Sequence, residues 1–169
     1  TLSSSSAASD VYKRQALPTA QVPDAVRSGA ADIGLCFSRA PHKDIDVAYR
    51  QSAPVLALLP PGHPLASAGS VALAQMAGYP LALPPAETTV RQMIDIVCSR
   101  QGLQLEAVLI SNHAKTVVNF VQLGGGLSVA SEIAVRHLVA EGAIVALPIS
   151  DPGMDLSLIH ISEPTRPLY

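Results

Sequence analysis

Cysteine is scarce in this 169-residue chain, and its two copies sit apart. Cys36 lies in an apolar run, "DIGLCF", and Cys98 on an expected helix. With no CxxC and no Cys/His cluster there is no metal-ligand spacing, and two buried, reduced thiols are favoured over a disulfide. His42, His63, His113 and His137 are scattered, without HExxH or a comparable pattern. Ser128 and Ser131 lack a nucleophile elbow, and no Asp–His–Ser order stands out. No apolar run approaches the roughly 18 residues of a membrane-spanning helix. Lys and Arg total 11 against 13 Asp and Glu, for a net charge of −2. No basic stripe exists to neutralise nucleic-acid phosphates. Catalysis, cofactor or metal chemistry, membrane insertion and direct DNA binding are therefore not expected of these residues.

The two ends do not read like the protein between them. Asp10 to Gln15, "DVYKRQ", can be written GAT GTG TAT AAG AGA CAG. The reverse complement, CTG TCT CTT ATA CAC ATC, translates as "LSLIHI", which is Leu156 to Ile161. The string resembles the mosaic end of transposase adapters used in sequencing libraries. Ser5–Ser9 fits TCG TCG GCA GCG TCA upstream, and Ser162–Arg166 fits TCC GAG CCC ACG AGA downstream. Residues 1–15 and 156–169 are accordingly expected to be adapter-derived, with no domain and no function, and are set aside from fold reasoning. What remains, Ala16–Asp155, is one domain's length and long enough to bury a core. It loses three basic residues (Lys13, Arg14, Arg166) and two acidic ones (Asp10, Glu163), so the net charge moves from −2 to −3.

Between those ends, strands and helices alternate. "PDAVRSGAADIGLCF" reads as a helix end, a stop at Gly29 and a buried strand from Ile33 to Phe37. "IDVAYR" alternates apolar and polar residues, and "APVLALLP" is a continuous apolar run of the kind buried on both faces. "PPGHPLAS" forces a turn. "VALAQMAG" is a short helix ending at Gly78, and "PLALP" another strand. Thr89 followed by Gln92 fits a capping box. Val90, Met93, Ile94 and Val97 then mark one helix face that Gly102 ends. "EAVLI" is a strand, Ser111 or Asn112 can cap the next helix, and Val117, Val118 and Val121 form its buried side. "GGGLSVA" supplies a stop and a strand. Ser131 caps a third helix with Val135, Leu138 and Val139 inside, Gly142 ends it, and "AIVALPI" is the last strand.

This order implies an α/β fold with a mainly parallel sheet and helices on both faces. Pro60–Gly142 is expected to form a subdomain by itself. The strands flanking it, "VLALL" and "AIVAL", are expected to be the two crossings to a second unit, of which only 16–59 and the return at 143–155 are present.

Gly124–Gly126 does not read as a phosphate loop. Such a loop runs from strand into helix, whereas these glycines follow a helix and precede a strand, as a stop with close packing does. Two other loops do lead from a strand's carboxyl end into a capped helix: "PPAETTVRQ" and "ISNHAKTV". In open α/β sheets ligands bind there, and helix N-termini offer unpaired N–H groups and a positive dipole suited to a carboxylate. Thr88, Thr89, Ser111, Asn112 and His113 are the small or polar residues so placed. They serve either as caps alone or as caps that also touch a ligand. Arg91 and Lys115, one turn in, are expected to be solvated.

"VRSGAADIGLCF", "PVLALLPPGHPLAS", "YPLALPPAETTVRQMID" and "VVNFVQLGGGLSVASEIAV" follow one another in an order and spacing that resemble the effector-binding domain of LysR-type transcriptional regulators. The resemblance covers nearly all of Ala16–Asp155. It implies a periplasmic-binding-protein-like (type 2) fold of two α/β subdomains with a ligand cleft between them, the first subdomain incomplete here. It also implies a cytoplasmic bacterial regulator, a homodimer or homotetramer, whose small-molecule effector controls DNA binding through an N-terminal winged helix-turn-helix absent from these residues. By position, "ETT" (Glu87, Thr88, Thr89) and "SNHAK" (Ser111, Asn112, His113) match cleft-facing loops of the second subdomain. Phe37 and Ser38 match the end of a first-subdomain strand beside the cleft.

The alternative is a periplasmic solute-binding protein of the same fold, distinguished by an upstream signal peptide in place of a helix-turn-helix. A third reading, an enzyme, has only Glu87 and His113 to offer as an acid/base pair. Because early strands of the first subdomain are missing, the remaining ones are expected to have unpaired edges and an uncovered apolar face. The chain expressed alone is predicted to be poorly soluble and to self-associate. Sedimentation velocity and thermal unfolding check this: a monomer with a sharp, cooperative transition overturns it.

Overall fold

The structure, a computed structural model, describes residues 14–39 and 45–162. His42, Thr1–Lys13 and Glu163–Tyr169 lie outside the described residues. After a 3-10 turn at Thr19–Gln21 come α1 (Val22–Arg27), β1 (Ile33–Ser38), β2 (Asp46–Ser52) and β3 (Val55–Leu59). A second 3-10 turn at Pro64–Ser67 leads to α2 (Leu73–Met76), β4 (Leu81–Leu83), α3 (Thr89–Gln101) and β5 (Ala107–Ile110). The chain ends with α4 (Ala114–Gln122), β6 (Leu127–Ser131), α5 (Glu132–Ala140), β7 (Val145–Pro148) and β8 (Ser157–Ser162).

Two sheets form. The larger has the order β5-β4-β6-β3-β7. β4 pairs parallel with both β5 and β6, while β3 pairs antiparallel with both β6 and β7. Four strands therefore run one way, joined by helical crossovers, and β3 alone runs against them. The expectation of a mainly parallel sheet holds here. It fails for the smaller sheet, order β1-β8-β2, where β8 is antiparallel to both neighbours. The strand that breaks the pattern in each sheet is one that brings the chain across from the other.

Alternation along the strands of the larger sheet builds two cores. Val55, Ala57 and Leu59 of β3, Leu81 and Leu83 of β4, and Leu127 and Val129 of β6 face α2 and α3, where Leu73, Met76, Met93, Ile94 and Val97 are buried. Leu58 and Ala82 face the other way, toward Val117, Val118, Val121 and Val135 of α4 and α5. Val90 is only partly buried at the rim of the first core. Each fully buried Leu, Ile or Met side chain contributes roughly 1.5–3 kcal/mol relative to exposure. Ser128, buried among the apolar residues, is tolerated because its hydroxyl donates to the Ala82 carbonyl at 2.7 Å.

The chain passes between the sheets twice, side by side. The Ala53 and Val55 amides donate to the Leu156 and Met154 carbonyls at 2.8 and 3.4 Å. Nearby, Asp151 is buried. One carboxylate oxygen accepts from the Leu73 amide at the start of α2, and the other from Gln101 at the end of α3, both at 2.7 Å. The return turn is thus pinned to two helices of the larger unit.

The C-terminal stretch set aside from fold reasoning packs into the fold over Leu156–Ser162. Leu156 is buried, and Ile159 and Ile161 are fully buried against Val26, Cys36 and Ile45. "SLIHI" alternates, so one face of β8 meets α1 while its backbone pairs the inner edges of β1 and β2. An alternating strand finds this place whatever its coding origin. On the opposite face of the small sheet no described residue buries Ile33, Leu35 and Tyr49, which are 49, 62 and 58% exposed.

The three glycines before β6 have separate reasons. Gly124 takes a left-handed φ of 76° with open space around it. A Cβ on Gly125 would press on the Phe120 ring, 2.6 Å away. Gly126 has φ 148°, and a Cβ there would collide with the Pro80 carbonyl oxygen, which accepts the Leu127 amide at 2.9 Å. Gly126→Ala is predicted to cost about 3 kcal/mol or more from combined strain and overpacking, and Gly124→Ala only about 1–2 kcal/mol. Urea unfolding of the two variants decides it; equal losses contradict the close-packing account.

Candidate functional site

Because β5, β4 and β6 are parallel neighbours, the helices that follow them all begin at the same edge of the sheet. α3 starts after β4, α4 after β5 and α5 after β6. A cleft of about 220 Å³ lies at that edge. Its lining includes Thr88 and Thr89 from the start of α3, Ser111 and Asn112 from the start of α4, and Ser131 from the start of α5. Thr19 and Phe37 reach it from the side of the small sheet. The remaining lining is apolar: Pro84, Val90, Ala114, Val117, Val129, Ala130 and Ala134. Among the described residues, no Asp, Glu, Lys, Arg or His stands in the lining.

The structure thus brings together Phe37, Thr88, Thr89, Ser111 and Asn112 of the sequence-expected set. Ser38, Glu87 and His113 are not in the lining. Ser38 is buried on the α1 side of β1, since alternate residues of the strand point to opposite faces. Glu87 and His113 are exposed at the loop tips.

The hydroxyls divide by their hydrogen bonds. Thr88 is the cap of α3: its Oγ1 accepts from the Arg91 amide at 3.3 Å and donates to the Pro85 carbonyl at 2.8 Å. The cap expected at Thr89 lies one residue earlier, since Thr88 has the extended backbone a cap needs, φ −80° and ψ 147°. For α4 the cap position is His113, whose side chain makes no capping bond. Ser111 Oγ instead accepts from the His113 amide at 3.2 Å. Ser131 occupies the cap position of α5, as expected, but its hydroxyl does not cap the helix. Among the described residues, the Thr89 and Asn112 side chains have no hydrogen-bond partner, so their polar atoms are available to a ligand.

The charges nearby are committed elsewhere. Arg91 bonds Asp95 at 2.9 Å and the Pro84 carbonyl at 3.2 Å, with its side chain 20% exposed; it is pinned along α3, where it was expected to be solvated. Lys115 is exposed, as expected. Glu132 takes two hydrogen bonds from Arg136, both 2.8 Å, which hold its carboxyl below the ordinary range. Both thiols are buried in separate cores. Burial raises the Cys36 thiol; burial and then the Asp95 and Asp151 charges raise that of Cys98. Neither is set up as a nucleophile. Among the described residues no His/Cys/Asp/Glu group has metal-site geometry, and no helix is long and apolar enough to cross a membrane.

Sequence reasoning missed the contribution of α5 to the cleft. The signal was present: Ser131 stands at a strand-to-helix junction like the other two, but its junction was read for capping alone. The division of hydroxyls is testable by unfolding. Thr88→Ala is predicted to lose about 1 kcal/mol, and Thr89→Ala to stay within about 0.5 kcal/mol of the parent. Chemical denaturation of both variants checks this, and an equal loss in the two would assign Thr89 a structural part as well.

Comparison with known proteins places this architecture. The chain matches the LysR substrate binding domain over residues 14–168. It is 29% identical over 122 residues to the HTH-type transcriptional regulator SsuR of Burkholderia cenocepacia, an alignment covering 72% of this chain and 39% of that protein. The chain therefore spans about two fifths of that regulator's length. Among solved structures, the effector binding domain of QuiR in complex with shikimate superposes with a TM-score of 0.69 at 18% identity, covering 89% of this chain and 71% of that one. The regulatory domain of Synechocystis CcmR in complex with 2-PG gives 0.69 at 16% identity, with 89% and 73% covered. A LysR family regulator from Pseudomonas aeruginosa, HinK, gives 0.68 at 19% identity, with 89% and 52% covered. The fold is thus the periplasmic-binding-protein-like one, the family is one of regulators and not enzymes, and this chain belongs to the LysR substrate-binding-domain family.

Proposed function

We propose that the chain is the sensing part of a bacterial LysR-type regulator, and that the cleft at the starts of α3, α4 and α5 takes a small carboxylate effector. In the parent protein, effector binding controls a winged helix-turn-helix outside these residues, in a cytoplasmic homodimer or homotetramer. The observation that carries the carboxylate is an electrostatic one: among the described residues the cleft has no charged side chain in its lining, yet two helices of 13 and 9 residues, α3 and α4, begin on it. Each helix start carries roughly half a positive charge and unpaired amides. A single negative group is accommodated there without a counter-charge, and the free side chains of Thr89 and Asn112 add donors. Phe37 closes the other side, so the site spans both sheets. We also assign the division of the chain at 59/60 and 142/143 to the two subdomains, and the adapter origin of residues 1–15 and 156–169, as readings from the sequence.

Propionate and its neutral isostere propionamide test the charge preference. Titrated into the 169-residue chain and followed by amide NMR, propionate is predicted to give saturable shifts at Thr89 and Asn112, with propionamide giving none. Equal responses to both would rule out the carboxylate.

A further inference from the structure

The cap position of α5 holds a polar group with no use in the fold. Ser131 is 5% exposed, so the protein has almost wholly removed it from water. Its hydroxyl makes no capping bond and has no other partner among the described residues. No wholly inaccessible polar side-chain atom lacks a partner among the described residues, so the Ser131 hydroxyl keeps a small opening, and Ser131 is one of the residues that line the cleft. A buried hydroxyl without a hydrogen bond is a cost. On the wall of a cleft, an occupant that can hydrogen-bond the hydroxyl relieves that cost, and one that cannot does not. Pairing with Val55 of β3 fixes the residue's backbone at the end of β6, so the hydroxyl is held in place before anything binds.

We infer that Ser131 is an effector-contacting residue, and that it selects small monoanionic acids bearing a second, uncharged polar group, a hydroxyl or carbonyl, over their unsubstituted counterparts. The inference rests on the cleft being the carboxylate site. The second group is uncharged because α5 has no spare positive pole. The first amide of the helix, on Glu132, donates to the Pro54 carbonyl at 2.8 Å. The Glu132 carboxylate lies in the first turn, where it repels an anion, and Arg136 is spent on it in two hydrogen bonds of 2.8 Å. A serine hydroxyl both donates and accepts, so it meets a hydroxyl or a carbonyl equally. The carboxylate stays at α3 and α4.

Butyrate and its 2-, 3- and 4-hydroxy derivatives, titrated into the full chain and its Ser131→Ala variant, provide the test. At least one hydroxy acid is expected to bind roughly 5- to 10-fold more tightly than butyrate, the worth of one neutral hydrogen bond. Ser131→Ala should erase that preference, so that the hydroxy acid and butyrate bind equally tightly, and should unfold at no lower a temperature than the parent. If butyrate binds but no hydroxy acid exceeds it, or if the preference survives in Ser131→Ala, the role of Ser131 is overturned and the cleft reading stands. A lower unfolding temperature for Ser131→Ala overturns it too, by marking the hydroxyl as structural. If butyrate itself leaves the cleft residues unmoved, both readings fall.

Discussion

The parallel pairing of β5, β4 and β6 governs what this chain can do. Parallel strands need crossover connections, and here each connection is a helix that begins where its strand ends. All three helix starts are thereby delivered to one edge of the sheet. Had any of these strands been reversed, its helix would begin at the far edge, and the cleft would lose one of its polar poles. Among the described residues no charged side chain lines the cleft, and what stands at it is the positive end that each helix start carries.

β6 carries most of the burden. It is the strand at which the parallel part of the sheet meets β3, so its register must satisfy two unlike partners. The close approach of Gly126 to Pro80 and the Ser128 hydroxyl on the Ala82 carbonyl both tie it to β4. Ser131, five residues after Gly126 on the same rigid strand, inherits that precision. Sites held on strands and helix starts of a packed sheet are positioned more sharply than sites on free loops.

Much of this was legible in the sequence, and the rest has physical reasons for being hidden. The apolar spacing of Val90, Met93, Ile94 and Val97 marked the buried face of α3, and Val117, Val118 and Val121 that of α4, because both helices lie on a deep core. Strand-to-helix junctions located Thr88, Thr89, Ser111 and Asn112. What periodicity does not encode is direction of pairing, so the reversed β3 and the antiparallel small sheet could not be read from alternation. Nor does a loop's composition say which way its tip points, which is why Glu87 and His113 were grouped with neighbours that face the cleft. Ser38 stands outside the lining for a simpler reason: it and Phe37 lie on opposite faces of one strand. Codon reasoning about "LSLIHI" addressed where residues come from, while its alternating apolar pattern determined where they go.

The small sheet has a peculiarity in its order of assembly. Its centre is β8, among the last described residues of the chain, and its outer strands β1 and β2 are among the first. Among the described residues, the central partner of β1 and β2 follows the whole of the larger unit in sequence, so these pairings span more than a hundred residues. Long-range pairings of this kind are slow to form, and unpaired strands are open to wrong partners in the meantime. The larger unit lies within one continuous stretch, Val55–Pro148, and can complete itself first and present Ala53–Val55 as the template on which Met154–Leu156, and then β8, are laid down.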